Sequence, residues 1–265
     1  MTRPTSDEPA GVAGERAWQD AVGGRLQEEA YGRAGTRAVL DRQHARIAGW
    51  LAPQPDERIL DIGCGAGHLL AWLAAHTPAH FDGLDLSPVS LRRARATGAR
   101  DLVAADATAL PLRDGSYDAV VCNGAAHHLP DLAGALREVH RVLRPGGRLL
   151  LFEPVDSPFA GAVRHTLFRS SRYESPADLA HKSAFTERAV TGALDAAGFR
   201  DIVTSAHEFL AYPLSGMYMA LPWSRSRRVM AALIAVEERC ERSRLLAPLW
   251  RALSWRVRFS ARRAP

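Results

Sequence analysis

Residues 58–70, RILDIGCGAGHLL, constrain the fold more than any other part of this chain. An apolar run ends in Asp61. Gly63, Gly65 and Gly67 follow, and an amphipathic helical pattern begins. A strand that turns into a helix over glycines is how α/β proteins cradle a nucleotide at the carboxyl edge of a parallel sheet. Charge and spacing decide which nucleotide. A dinucleotide turn requires G-x-G-x-x-G. Counting from Gly63, the third position is His68; counting from Gly65, it is Leu70. A phosphate-cradling P-loop needs a lysine after its second glycine, and none stands here. The turn reads D-x-G-x-G-x-G, from Asp61 to Gly67. A carboxylate there repels pyrophosphate and suits a ligand that carries positive charge.

Strand-like and helix-like segments alternate from Arg58 to about Phe209. The strands are expected at RILDIG, HFDGLDLS, DLVAAD, YDAVVCNG, GRLLLFEP and RDIVTSAHEFL. Between them stand helical patterns, among them PVSLRRARATG with Pro88 in its first turn, DLAGALREVHRVL stopping at RPGG, and TERAVTGALDAAGF. Such alternation predicts a mainly parallel sheet with helices on both faces. Two parts fall outside it: a helical N-terminal segment, residues 17–51, and a helical insert, residues 212–250. The insert is followed by SWRVRFSARR, a late strand in which Trp255, Val257 and Phe259 form a buried face against arginines. In the insert's helix, Val229, Leu233, Val236 and Cys240 mark the expected inward face. Residues 1–15 read as a polar leader, and 16–265 as a single domain.

Four motifs in order resemble the class I S-adenosylmethionine-dependent methyltransferases, of the ubiquinone/menaquinone-methyltransferase-like small-molecule type. They are ILDIGCGAGHL, FDGLDLSP, AADATALPLRDGSYDAVVCNGAAHHLPD and RVLRPGGRLLLFEP. The resemblance implies a Rossmann-like, seven-stranded, mostly parallel sheet whose last strand is antiparallel and inserts beside the sixth. It implies S-adenosyl-L-methionine as cofactor, a ligand with a sulfonium, an ammonium and no phosphate. Gly63, Cys64, Gly65 and Gly67 would line the turn, with Asp61 facing the methionine end. Asp85 would accept the ribose hydroxyls, with Leu86 beside it. Asp106 would accept from the adenine amino group next to Ala107, and Asn123 and Gly124 would contact the methionine moiety. Cys64 reads as a small filler rather than a nucleophile.

Methyl transfer to a hydroxyl or a weakly acidic carbon needs a base. His128, just after the fourth strand, is the first candidate, and Glu153, at the end of the fifth, is the next. His127, His165, Tyr173, His181 and His207 are further titratable groups near the rim or its connections. The stretch YPLSGMYMALPW suits either a lid over an apolar methyl acceptor or a second small core. Two other readings stay open: a binding module or sensor that holds the cofactor without transfer, and an enzyme using it for non-methyl chemistry.

Partners follow from charge and motif. A small-molecule acceptor is expected; nucleic acid is not, since NGAA stands where a nucleic-acid methyltransferase would carry N/D-P-P-Y/F. The net charge is +5. The arginines of the basic C-terminal region, including Arg225, Arg227 and Arg228, are either solvated or placed for weak contact with an anionic membrane surface. Cys64, Cys122 and Cys240 have neither disulfide nor zinc spacing, so no metal is expected and a reducing cytoplasm is the expected location.

Overall fold

The computed structural model describes residues 11–155, 185–215 and 222–265. His165, Tyr173, His181, Met217, Tyr218, Met219 and Leu221 lie outside the described residues. The strands are β1 (Arg58–Ile62), β2 (His80–Asp85), β3 (Asp101–Ala104), β4 (Tyr117–Asn123), β5 (Leu143–Pro154), β6 (Phe199–His207) and β7 (Arg256–Arg263). They form one sheet in the order β3-β2-β1-β4-β5-β7-β6. Strand β7 is antiparallel to both β5 and β6. Strands β1 to β5 pair in parallel, so the ends of β1, β2, β3, β4 and β5 share one rim.

Successive strand residues point to opposite faces, and both faces are covered. Leu60, Val120, Cys122, Leu149 and Leu151 pack with Leu136 and Val139 of α6 (Leu132–Val142) and with Val190 and Leu194 of α7 (Glu187–Ala196). On the other face, Ile59, Ala119, Val121, Leu150 and Phe152 meet Ile47 and Leu51 of α3 (Ala34–Leu51) and Leu69 and Leu73 of α4 (His68–His76). Caps set several helix starts. Ser87 accepts from the Ser90 N–H at the start of α5 (Pro88–Ala96), and Asp131 accepts from the Gly134 N–H at the start of α6. Helix α6 stops at Val142, before the expected RPGG, and Leu143 already pairs with Tyr117. The last α6 carbonyls are met by the Arg263 guanidinium, at 2.9 Å from His140 O and 3.0 Å from Arg141 O.

The N-terminal segment contains α1 (Val12–Trp18), a π-helical turn at Gln19–Gly23, α2 (Gly24–Tyr31) and α3. The insert contains α8 (Ala211–Leu214), α9 (Arg227–Glu241) and α10 (Ala247–Leu253). Two expectations are corrected here. The face of α9 turned inward carries Met230 and Glu237, whereas Val229 is 41% and Val236 53% exposed. The reason is electrostatic. Glu237 is fully buried, pairs with Arg42 of α3 and accepts the Leu210 N–H at 2.7 Å, which rotates the helix away from its valine stripe. The second correction concerns β7. Val257 and Phe259 are buried as expected and Arg262 is exposed, but Arg256 on the arginine face is only 4% exposed, because Gln43 of α3 reaches its guanidinium.

The seat of α9 on α3 is narrow. A Cβ on Gly35 would run into the Ser224 carbonyl and come within 2.7 Å of the Met230 side chain. Gly35→Ala is therefore expected to destabilise the fold by about 1–3 kcal/mol. Gly49→Ala, on the same helix with nothing within 4 Å of the added carbon, is expected to stabilise it by roughly 0.5–1 kcal/mol. Urea unfolding of the two variants checks this; equal effects of one sign would contradict the packing.

Candidate functional site

The turn after β1 is fixed by backbone hydrogen bonds to β2. The Gly63 and Cys64 N–H groups donate to the Leu84 carbonyl, at 2.7 Å and 3.0 Å. Gly63, Gly65 and Gly67 take φ of 70°, 53° and 75°, a region that disfavours a Cβ. The Gly65 N–H donates to Asp85 Oδ2 at 2.8 Å, and the Ser87 N–H to Asp85 Oδ1 at 2.8 Å. Asp85 and the glycine turn are thus one unit. Burial raises the Asp85 pKa, against the pull of these two N–H groups. Burial and the nearby Asp85 also push Asp61, 2% exposed at the end of β1, well above the usual carboxylate range. The Cys64 side chain packs with Leu70 and Leu91, and burial raises its thiol pKa. Its thiol is a core group that also donates to the Gly65 carbonyl of the turn, at 4.0 Å.

Around the rim, Leu86 is half-buried, and Asp106 accepts the Thr108 N–H at 2.9 Å beside the buried Ala107. At the end of β4, Asn123 and Gly124 meet Arg256. Its guanidinium donates to Asn123 Oδ1 at 2.8 Å and to the Phe152 carbonyl, and its carbon lies 4.2 Å from the Phe152 ring centroid. Gly124 has φ of 70°, and a Cβ there would stand 3.2 Å from the guanidinium, so only glycine fits comfortably.

Glu153 holds the other side of this loop. It is fully buried, and its Oε1 accepts the Ala125 and Ala126 N–H groups, each at 3.1 Å. Its Oε2 lies 2.8 Å from His127 Nδ1. Burial pushes the Glu153 carboxyl up, but the His127 hydrogen bond and the charges of His127 and Arg256 outweigh it, and the net shift is down. Glu153 is therefore an ionised positioning group beneath the loop. His127 and His128 lie with ring centroids 4.0 Å apart, and His128 Nδ1 stands 3.4 Å from Glu15 Oε1 of α1. The carboxylate expected beside the cleft thus orients His127, whereas His128 meets an acid from the N-terminal segment.

That segment crosses the rim. Ser87 hydrogen-bonds to Asp20, Glu15 accepts from Gln19 at 2.9 Å, and the Tyr31 ring meets His68 edge-on at 4.5 Å. Burial pushes the Tyr31 hydroxyl up to about 12. Behind Arg256, Gln43 donates to Glu208 at 2.8 Å, and burial drives Glu208 up to about 7. Tyr212 of α8 reaches the same cluster, its ring centroid 5.5 Å from Arg256. Elsewhere, His207 packs on Trp50 and Glu241, away from the glycine turn, and Trp223 is 43% exposed.

Residues 60–151 match the family model described as methyltransferase domain. The methyltransferase GfsG of Streptomyces halstedii is 34% identical over 57% of this chain and 48% of its own length. The 27-O-demethylrifamycin SV methyltransferase of Amycolatopsis mediterranei is 38% identical over 43% of this chain and 45% of its own. The chain spans about half the length of each of these curated relatives. Among solved structures, a phosphoethanolamine N-methyltransferase 2 of Haemonchus contortus, in complex with S-adenosyl-L-methionine, superposes with a TM-score of 0.62. The match covers 97% of this chain and 61% of that one at 18% identity, a likeness of fold. The sheet order, with an antiparallel β7 between β5 and β6, is the Rossmann-like arrangement of class I methyltransferases.

The sequence reading missed Arg256, Glu15, Asp20, Gln43 and Glu208. For Arg256 no local signal existed, since the group that reaches it is Gln43, 213 residues away in sequence.

The charge state of Glu153 sets a pH dependence. Its folded pKa lies below the ordinary 4.5, so its stabilisation is present above that value and is lost as pH falls through the folded pKa. Glu153→Gln is expected to lower stability at neutral pH by about 1–3 kcal/mol, with the gap to wild type shrinking on acidification. Urea unfolding across the acid range checks it; a gap that does not change with pH would contradict an ionised Glu153.

Proposed function

We propose that this chain is an S-adenosylmethionine-dependent methyltransferase acting on a small, partly apolar acceptor. The observation that carries the reading is the acidic turn: Asp61 and Asp85 flank three glycines in left-handed conformation, with no lysine or arginine in the turn. Two buried carboxylates at this point oppose phosphate and favour a cationic ligand.

The residues fit that group. Each Asp85 oxygen takes one backbone N–H, and each can accept a second hydrogen bond, from a ribose hydroxyl. Asp61, Asn123 and Gly124 are proposed for the methionine end, Asp106 and Ala107 for the adenine, with Gly63, Cys64, Gly65, Gly67 and Leu86 contributing backbone or packing. Bound there, S-adenosylmethionine would supply a methyl carbon already activated by its sulfonium.

The chain's own residues align the acceptor and manage its proton. Ionised Glu153 favours the His127 tautomer with hydrogen on Nδ1, which makes Nε2 the basic nitrogen. His127 is therefore the proposed proton acceptor and Glu153 its positioning residue. His128, bridging to Glu15, is proposed to shape the acceptor side and link it to α1. The rifamycin relative is named for a small-molecule acceptor, which supports that class here. Cys64, Cys122 and Cys240 are free, which suits a reducing compartment such as the cytoplasm. No described helix is long and apolar enough to cross a membrane.

Asp85→Ala should weaken S-adenosylhomocysteine binding by about 2–4 kcal/mol, since two hydroxyls lose a charged acceptor. Unchanged affinity in a folded variant would remove Asp85 from the site. With an acceptor found by mass spectrometry as a gain of one methyl, His127→Ala should lower kcat by roughly 10²–10⁴-fold while cofactor affinity survives. A larger loss in His128→Ala than in His127→Ala would return the base to His128. A panel of small acceptors giving no methylated product, with cofactor binding intact, would favour a sensor or non-methyl chemistry.

A further inference from the structure

We propose that the outward face of α9 is a docking surface for an anionic lipid bilayer. Of the large apolar side chains markedly exposed among the described residues, all but Val203 fall between Trp223 and Leu249. Between residues 222 and 253 the chain has seven arginines and three acids. The acids are all engaged by neighbouring elements. Glu237 and Glu238 pair with Arg42, and Glu241 with Arg46 and His207, although Glu238 keeps 39% of its side chain exposed. What faces out is Arg228, Ala232, Ala235, Arg239 and Arg242, which helical spacing places in one stripe, with Val229 and Val236 along its border. All seven are exposed. Arg228, Arg239 and Arg242 have no acidic partner among the described residues. The same ion pairs that rotate the expected apolar stripe outward therefore leave arginine beside it.

An anionic bilayer satisfies both halves of this surface. Headgroup phosphates meet the guanidinium groups, which can reach them while their stems lie along apolar surface. Val229, Val236 and the neighbouring Trp223 gain an apolar boundary to enter. A second copy of this chain docked by two-fold symmetry would set one arginine stripe against another. A polyanionic nucleic acid would leave the apolar side chains in water. The apolar payload is small, so the association is weak, reversible and salt-sensitive.

Sedimentation of the whole chain with lipid vesicles tests this without reference to methyl transfer. The wild type is expected to sediment with vesicles containing one-third phosphatidylglycerol and to stay in solution with pure phosphatidylcholine. Binding should fall between about 50 mM and about 300 mM salt. The triple variant Arg228→Gln, Arg239→Gln, Arg242→Gln should lose about a hundredfold in partitioning, near fivefold per arginine, with an unchanged urea midpoint. Val236→Asp should also weaken binding. Equal binding to neutral vesicles, no binding to either kind, or a triple variant that binds as wild type would overturn the proposal. Self-association of the free chain through this face, read by sedimentation velocity with no vesicle binding, would also overturn it.

Discussion

The candidate site depends on one buried carboxylate. Glu153 sits at the end of β5 with no solvent, and the polar hydrogens around it come from Cys122 of β4 and from the loop that follows: Ala125, Ala126 and His127. A charge in that position is tolerated only if it is satisfied from several sides. The loop therefore has one low-energy path, and that path aims His127. Arg256 completes the restraint from the other flank, holding Asn123 and contributing positive charge that helps keep Glu153 ionised. A loop exposed to solvent would have to find this geometry afresh on each binding event; here the sheet supplies it.

The opposite polarity governs the turn after β1. Burial first, and neighbouring acids after it, raise the pKa of both Asp61 and Asp85. Acids crowded together in a cleft are destabilising until a positive ligand arrives. The N-terminal segment adds Glu15 and Asp20 to the same rim, the first against His128 and the second against Ser87. The rim thus carries an acidic side and a histidine side, and the N-terminal segment touches both.

Much of this was legible in the sequence, and the rest was not for identifiable reasons. The strand–turn–helix at 58–70 and the acid at Asp85 are local patterns, dictated by backbone geometry and charge within a few residues. The order of β5, β7 and β6 could be anticipated only through resemblance. The role of Glu153 depends on which loop folds over it, a contact across 26 residues to His127, so sequence placed it on the rim when it lies beneath. Helix α9 misled the hydrophobic reading because Glu237, 195 residues from Arg42, is an inward-facing acid that periodicity counts as polar and therefore exposed. Arg256 was hidden in the same way: alternation assigned it outward, whereas Gln43 of α3, 213 residues away, reaches its guanidinium.

The central claim is that the acidic glycine turn selects a cationic, phosphate-free nucleoside ligand. Calorimetric titration of the whole chain with S-adenosylmethionine, S-adenosylhomocysteine, NAD and ATP measures it most directly. Saturable, one-to-one binding of the first two is expected, and none of the phosphate-bearing pair. Binding of NAD without binding of either adenosyl ligand would contradict it.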